Sequence, residues 1–494
     1  MDNSVLEKSV NGFWDSNITP TLTEYIKIPN KSPSFDPDWQ KNGHMNKVLK
    51  LANNWTKKHL PSGGSITIKE SKGKTPLILV DIPGQKAGNV LMYGHLDKQP
   101  EMDGWDKGMG PWKPVVKNKK LYGRGGADDG YALFASICSI KAIQEQQISL
   151  PRILILIEFS EESGSPDLPH YMNLCKNKIG TPDLVICLDS GTGDYKRLWT
   201  TTSLRGLIGL KLRVDVLKEG VHSGGASGYV PSSFRIARQL LSRIENQETG
   251  EILLDELKVK IPSFRTEETK KYVQVIGKEL RKEFPWVSNM QPSTDDDVEG
   301  VLRRTWRPAL SVVGGGGLPA SENAGNVLRP YTELQLSIRI PPFVNQKKAQ
   351  NAIKNVLLKN PPYNSKISLV FDEPASGWSA PKTSSWLEKA MNEGSLAFFN
   401  KPFCFIGEGG TIPFMAMLGN QFPNAQFLIT GVLGPGSNAH GPNEFLHVPY
   451  AKKLTACVSY VLSKFSSLGV SSFILYIDSR SNFRKLYFIN RKSP

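Results

Sequence analysis

The chain has 494 residues, 39% of them hydrophobic and 22% charged, with a formal net charge of +15. That length exceeds what one core fills and favours two domains, and the balance of residues excludes a disordered or fibrous chain. Lys and Arg are spread along the sequence without an interleaved aromatic stripe, so the charge reads as a generic basic surface and no nucleic-acid partner is expected.

The first stretch, MDNSVLEKSVNGFWDSNITP, has no basic segment leading into an apolar one, and no later run reaches the roughly 18 apolar residues of a spanning helix. Neither export nor a membrane role is expected. The five cysteines, Cys138, Cys175, Cys187, Cys404 and Cys457, are odd in number, lack a CxxC pair and fall mostly in apolar strand or helix patterns. They read as buried reduced thiols in a cytoplasmic setting.

From Trp55 to about Gly206 strands alternate with helical stretches, as in βαβ units. Three apolar runs there end in metal-grade side chains: NVLMYGHLD at His95 and Asp97, RILILIEFSEE at Glu161 and Glu162, and PDLVICLD at Asp189. Such runs read as buried parallel strands, whose carboxyl ends border the ligand crevice of an open α/β sheet. Four carboxylates and a histidine are thus aimed at one crevice, where like charges repel unless cations neutralise them. His95 and Asp97, two apart, share a face, which suits a ligand imidazole oriented by a carboxylate. Glu161 and Glu162 are adjacent, so on an extended backbone they point apart and divide metal binding from substrate contact. In DDGYALFASICSIKAIQEQQ, Ala132, Leu133, Ile137, Ile140 and Ile143 recur at helical spacing, with Asp128 and Asp129 at the N-terminus of the helix. GRGGADDG is a poor phosphate loop, because acids follow its glycines directly.

From Leu207 to about Ser379, LIGLKLRVDV and TELQLSIRIPP alternate like half-exposed strands, whereas PSSFRIARQLLSRI and QKKAQNAIKNVLL read as amphipathic helices. This is an α+β insertion, in which Gly314 to Gly317 reads as a flexible connection. The doubly wound pattern then resumes with AQFLITGVL, a Gly-rich loop, His440 and a final helix to about Phe465. The expected fold is an α/β doubly wound, mostly parallel sheet built from residues 1–206 and 380–465, plus an inserted α+β lid at 207–379. Residues 466–494 form a C-terminal extension with no assigned role. An imidazole and carboxylate set without thiolate suits zinc, and also manganese or cobalt. Two such cations about 3.5–4 Å apart would make metal-assisted hydrolysis the natural reaction class.

In chain order the motifs GHLD, GRGGADD, SEESGS, LDSG, GVHSG, LSIRIPP, GEGGTIP and NAHGPNE resemble the di-metal aminopeptidase-fold family. That family includes carnosinase-type dipeptidases, carboxypeptidase G, aminoacylase, acetylornithine deacetylase and succinyl-diaminopimelate desuccinylase. The resemblance implies that Asp128 bridges two divalent metals, that His95 and Asp189 complete one and that Glu162 and His440 complete the other. It makes Asp97 the orienter of His95 and Glu161 the general base, and it implies a cis peptide between Asp128 and Asp129. By the same resemblance the lid forms a homodimer in which His222 reaches the partner's site and stabilises the oxyanion. Arg339 would grip a substrate carboxylate, Asn326 would touch substrate from a position where dipeptidases of the family carry threonine, and Glu408 and Thr411 would form the loop that receives a free amino group. DDGY departs from the family's usual run by lacking a lysine. The expected activity is hydrolysis of dipeptides or short peptides. The alternatives are a deacylase of N-acyl amino acids or a non-catalytic metal-dependent binding protein, and a pure binder would have no need of Glu161.

Overall fold

The computed structural model describes residues 1–466, and beyond Ser466 the expected extension lies outside the described residues. In chain order the principal strands are β1 (Ser65–Lys69), β2 (Leu77–Ile82), β3 (Lys86–His95), β4 (Pro151–Glu158), β5 (Leu184–Cys187), β6 (Trp199–Leu204), β7 (Gly206–Asp215), β8 (Ala309–Gly316), β9 (Tyr331–Ile340), β10 (Lys366–Phe371), β11 (Cys404–Glu408) and β12 (Gln426–Ile429). Six of them form one sheet in the order β1-β2-β4-β3-β5-β12, in which β4, β3, β5 and β12 run parallel while β1 and β2 are antiparallel at one edge. The three apolar runs that end in His95, Glu158 and Cys187 are therefore neighbours, and they deliver their carboxyl ends to one side.

Both faces of this sheet are covered, which is why its central strands β3, β4 and β5 carry unbroken apolar runs. Val90, Met92, Ile153, Ile155, Leu184 and Ile186 face the core built with helices α1 (Asn3–Phe13), α2 (Thr19–Ile26), α3 (His44–His59) and α4 (Ala132–Glu145). The alternate set, Leu91, Tyr93, Leu154, Leu156, Val185 and Cys187, faces a second core with Tyr171, Met172, Phe414 and Leu418. The period of two along each strand divides the residues between the two layers. The N-terminal helices are fastened to the strand end that carries His95. The Tyr25 hydroxyl and the Asn30 amide donate to the Leu96 carbonyl, and the buried Lys98 ammonium donates to the carbonyls of Tyr25 and Ile28.

A second, four-stranded antiparallel sheet has the order β8-β9-β7-β10. On one face it packs Ile208, Leu210, Leu336 and Ile338 against α5 (Ser233–Leu241) and α8 (Gln346–Leu358). Gly314 to Gly316 are part of β8 and pair with Gln335, Leu334 and Glu333, so the expectation of a flexible tetraglycine connection is corrected. Cross-strand hydrogen bonds hold the run despite its missing side chains, and only Gly317, at φ 82°, turns out of the strand. Residues 263–305 carry α6 (Ser263–Ile276) and α7 (Asp297–Thr305), which pack instead on a third small sheet of β6, β11 and Trp378–Ser379. Trp199, Tyr272, Val301, Cys404 and Ile406 form the core there. Helix α9 (Ser385–Phe399) and the terminal helix α10 (Val448–Ser466) return to the first sheet, so its layer draws on both ends of the chain.

The five cysteines are all free and buried. Among the described residues no helix is long and apolar enough to cross a membrane.

Gly94 sits where β3 meets α4, and a Cβ there would lie 2.5 Å from the Ala132 Cβ and 2.6 Å from Asp129 Oδ2. Gly94→Ala is expected to cost about 1–3 kcal/mol through overpacking. It should lower the urea midpoint of unfolding, whereas an unchanged midpoint would contradict this packing.

Candidate metal centre

Asp128 and Asp129 lie in a wide turn, Gly126–Gly130, that precedes α4, and both have non-helical dihedral angles. The expectation that they open the helix is thus corrected: the helix begins at Ala132, and the turn swings Asp128 over the strand ends. The peptide between the two aspartates is cis. Glu161 and Glu162 open a single 3-10 turn, Glu161–Ser163, and do not stand on extended backbone as expected. The turn arises because both oxygens of Asp97 accept backbone N–H groups, Oδ1 from Glu161 at 3.1 Å and Oδ2 from Glu162 at 3.0 Å. Asp97 also places Oδ1 3.3 Å from His95 Nδ1. One buried carboxylate therefore aims the imidazole and shapes the acidic turn together.

The side chains converge as follows. His95 Nε2 lies 3.4 Å from Asp128 Oδ1, 3.8 Å from Asp189 Oδ2 and 4.0 Å from Glu161 Oε2. The other oxygen of Asp128, Oδ2, is 3.0 Å from His440 Nε2, which is also 3.4 Å from Glu162 Oε2. Two sets of donor atoms, His95 with Glu161 and Asp189 and His95 with Asp128 and Glu162, each fall within 4.8 Å of one another. His95 Nε2 and Glu162 Oε1 are buried without a hydrogen-bond partner. Buried polar atoms are seldom left so, and two of them among convergent carboxylates fit the coordination of a cation.

The electrostatics point the same way. Burial pushes the Glu161 and Glu162 carboxyls well above the ordinary range, with Asp189 and Asp128 respectively adding repulsion. Burial raises Asp189 to about 6 even though His95 opposes it. For His95, burial disfavours the charged ring, but the carboxylates of Asp128, Asp189 and Asp97 outweigh it and hold its pKa well up. Asp128 is the exception: burial raises it, yet the two histidines together hold it below the ordinary value. Without a cation the cluster therefore holds its protons more tightly than separated, solvated carboxylates would.

Several supports were not legible as such in the sequence. Arg124 Nη1 donates to Glu444 Oε2 at 2.6 Å, its Nη2 donates to the carbonyls of His440 and Gly441, and its Nε donates to the Pro100 carbonyl. The second oxygen of Glu444 accepts the Gly125 N–H at 2.9 Å. This pair pins the His440 loop, with His440 itself at φ 65°, against the loop that bears Asp128. Buried Glu158 accepts from the Tyr93 and Ser165 hydroxyls beneath the acidic turn, and the Ser163 hydroxyl meets that of Ser32. The only sequence signal was that Arg124 and Glu444 fall inside the quoted motifs.

Beside the cluster, Glu408 ends β11 with Oε1 over Gly191, where a Cβ would come within 2.5 Å of it. Burial raises Glu408 to about 7, with Arg304 opposing. Arg339, on β9, donates from Nη1 to Thr411 Oγ1 at 3.1 Å. His222 and Asn326 lie on the lid, where the short strands Val221–His222 and Val327–Leu328 pair and the Ser223 N–H donates to the Asn326 carbonyl. Both are exposed, and among the described residues neither side chain makes a hydrogen bond or ion pair to the cluster.

A model of peptidase family M20/M25/M40 matches residues 91–464. A cysteinylglycine-S-conjugate dipeptidase of Corynebacterium striatum is 25% identical over 390 residues, which is 76% of this chain and 82% of that protein. The human Beta-Ala-His dipeptidase is 26% identical over 396 residues, covering 78% of this chain and 75% of that protein. In architecture, the solved structure of the di-peptidase Dug1p from Saccharomyces cerevisiae matches with a TM-score of 0.73 at 21% identity, covering 94% of this chain and 98% of that one.

Cation binding must displace the protons held by this cluster, Asp189 among them. Affinity of the metal-free protein for Zn2+ or Co2+, measured by titration, is expected to fall by about tenfold per displaced proton for each pH unit below about 6. Equal affinity at pH 7.5 and pH 5 would contradict the arrangement.

Proposed function

Because the chain belongs to peptidase family M20/M25/M40, we propose that it is a di-metal dipeptidase that cleaves the peptide bond of dipeptides or short peptides. The observation that carries this reading is the divided Asp128 carboxylate, one oxygen facing His95 and the other His440. Asp128 would be shared by two cations, one that His95 and Asp189 would also hold and one that Glu162 and His440 would also hold. Nitrogen and oxygen donors without sulfur favour Zn2+, with Mn2+ or Co2+ as alternatives. Bound there, two divalent cations would polarise the scissile carbonyl and lower the proton affinity of the attacking water.

The chain's own groups supply the rest. Glu161, one residue from the ligand Glu162 and half-buried, takes the proton from the water and returns it to the leaving amine. Its raised proton affinity suits both halves of that task. Arg339, oriented by the Thr411 hydroxyl oxygen, holds the C-terminal carboxylate, for which a planar guanidinium fork is well shaped. Glu408 receives the free amino group, and Asn326 contacts substrate from the lid. His222 stabilises the oxyanion by entering the site of a partner copy, so the enzyme works as a homodimer. Its exposure on the lid supports that role. Five buried free thiols support a cytoplasmic location.

Glu161→Gln is expected to leave metal content unchanged while lowering kcat by about 10²–10⁴-fold. Turnover at the wild-type level would overturn the base. Unblocked dipeptides are expected to be turned over faster than their N-acetylated forms, and a preference for the acylated compounds would replace this reading with a deacylase.

A further inference from the structure

Arg205 stands between the end of β6 and the start of β7, with 9% of its surface exposed. Its Nη1 donates to the carbonyls of Arg303 and Arg307, both at 3.3 Å, just at the end of α7. Its Nε is buried without a partner, and among the described residues no carboxylate pairs with it. Burial lowers its proton affinity, and the guanidinium groups of Arg339 and Arg304 add to that effect. A cation withdrawn from water beside two like charges, with no counter-charge of its own, is costly to keep. An anion arriving nearby would relieve that cost.

The same residue holds the loop that carries Glu408 and Thr411. Its backbone N–H donates to the Glu408 carbonyl at 3.4 Å, and its carbonyl accepts the Thr411 hydroxyl. Between these two contacts, Gly409 lies against the guanidinium, where a Cβ would come to 3.2 Å from Nη2. With its proton committed to Arg205, the Thr411 oxygen is left to accept from Arg339 Nη1. The main chain of Arg205 thus fixes both ends of the loop, and through Thr411 the orientation of Arg339, while its guanidinium lies against the middle of the loop at Gly409.

We propose that Arg205 is a positioning residue that sets Thr411 and Arg339 for a substrate's terminal carboxylate, and that its uncompensated charge selects peptides ending in a free carboxylate over their amides. This rests on the hydrolase reading given above. A role confined to folding would disturb all substrates alike, whereas this role concerns only those that bear the anion.

The test compares the metal-loaded full-length wild type with Arg205→Gln and Arg205→Lys on one dipeptide as its free acid and as its C-terminal amide. The wild type is expected to prefer the free acid. Arg205→Gln should raise KM for the acid by about tenfold or more, as expected for loss of charge-assisted contacts, with kcat and the amide's kinetics changed by less than about twofold. Arg205→Lys, which keeps the charge but not the fork, should recover part of the loss, and it carries the same comparison if the Gln variant fails to fold. Equal losses on acid and amide, or no loss on either, would overturn the proposal. A wild type that hydrolyses peptides without distinguishing acid from amide would instead overturn the assignment of Arg339 as a carboxylate fork.

Discussion

Asp128 turns one carboxylate oxygen toward His95 and the other toward His440, and Glu161, Glu162 and Asp189 close in around the same two rings. So many acidic groups out of water repel one another, and burial alone pushes three of them toward holding protons. The rest of the chain acts to keep them together. Parallel strands β3, β4 and β5 supply a common edge, and the two covered faces of the sheet make that edge rigid. Asp97 ties the acidic turn to the histidine strand, and Arg124 with Glu444 ties the His440 loop to the Asp128 loop across most of the chain's length.

This division of labour explains why the layer around the cluster draws on both ends of the chain. His440 lies in the last segment, and it reaches the cluster only because α9, β12 and α10 complete the layer begun at the N-terminus. A buried Arg–Glu pair adds little net stability over an apolar replacement, but breaking one partner is costly, which suits a pair that fixes a register. The groups proposed to meet substrate are held by different devices. Glu408 and Thr411 hang from the backbone of Arg205, and Arg339 projects from the lid sheet toward them. The lid sheet and the first sheet's domain therefore meet at a cluster of Arg205, Arg304 and Arg339, the cluster proposed to receive an anionic substrate end.

Much of this was legible in the residues. The unbroken apolar runs ending in His95, Glu161 and Asp189 betrayed buried parallel strands, because only a doubly covered sheet accepts such runs. The lid strands were equally plain, since β9 alternates buried and half-buried positions along its whole length. Less legible was whatever depends on local backbone geometry. Glu161 and Glu162 were expected on extended chain, but the pull of Asp97 on two N–H groups makes a turn there, a contact 64 and 65 residues apart that no local pattern records. Gly314 to Gly316 carry no side chains to signal a strand, and only pairing with β9 makes them one. Arg124, Arg205 and Glu444 belong to no spacing rule, because Arg124 and Glu444 pair across 320 residues and Arg205 reaches the Arg307 carbonyl 102 residues on.

The divided Asp128 carboxylate calls for a cation on each side of it. Crystals of the protein loaded with Co2+ or Zn2+ test it through anomalous scattering at the metal edge. Two peaks flanking the Asp128 carboxylate, one beside His95 and Asp189 and the other beside Glu162 and His440, are the predicted result. A single peak elsewhere, or none within reach of these five side chains, would contradict it.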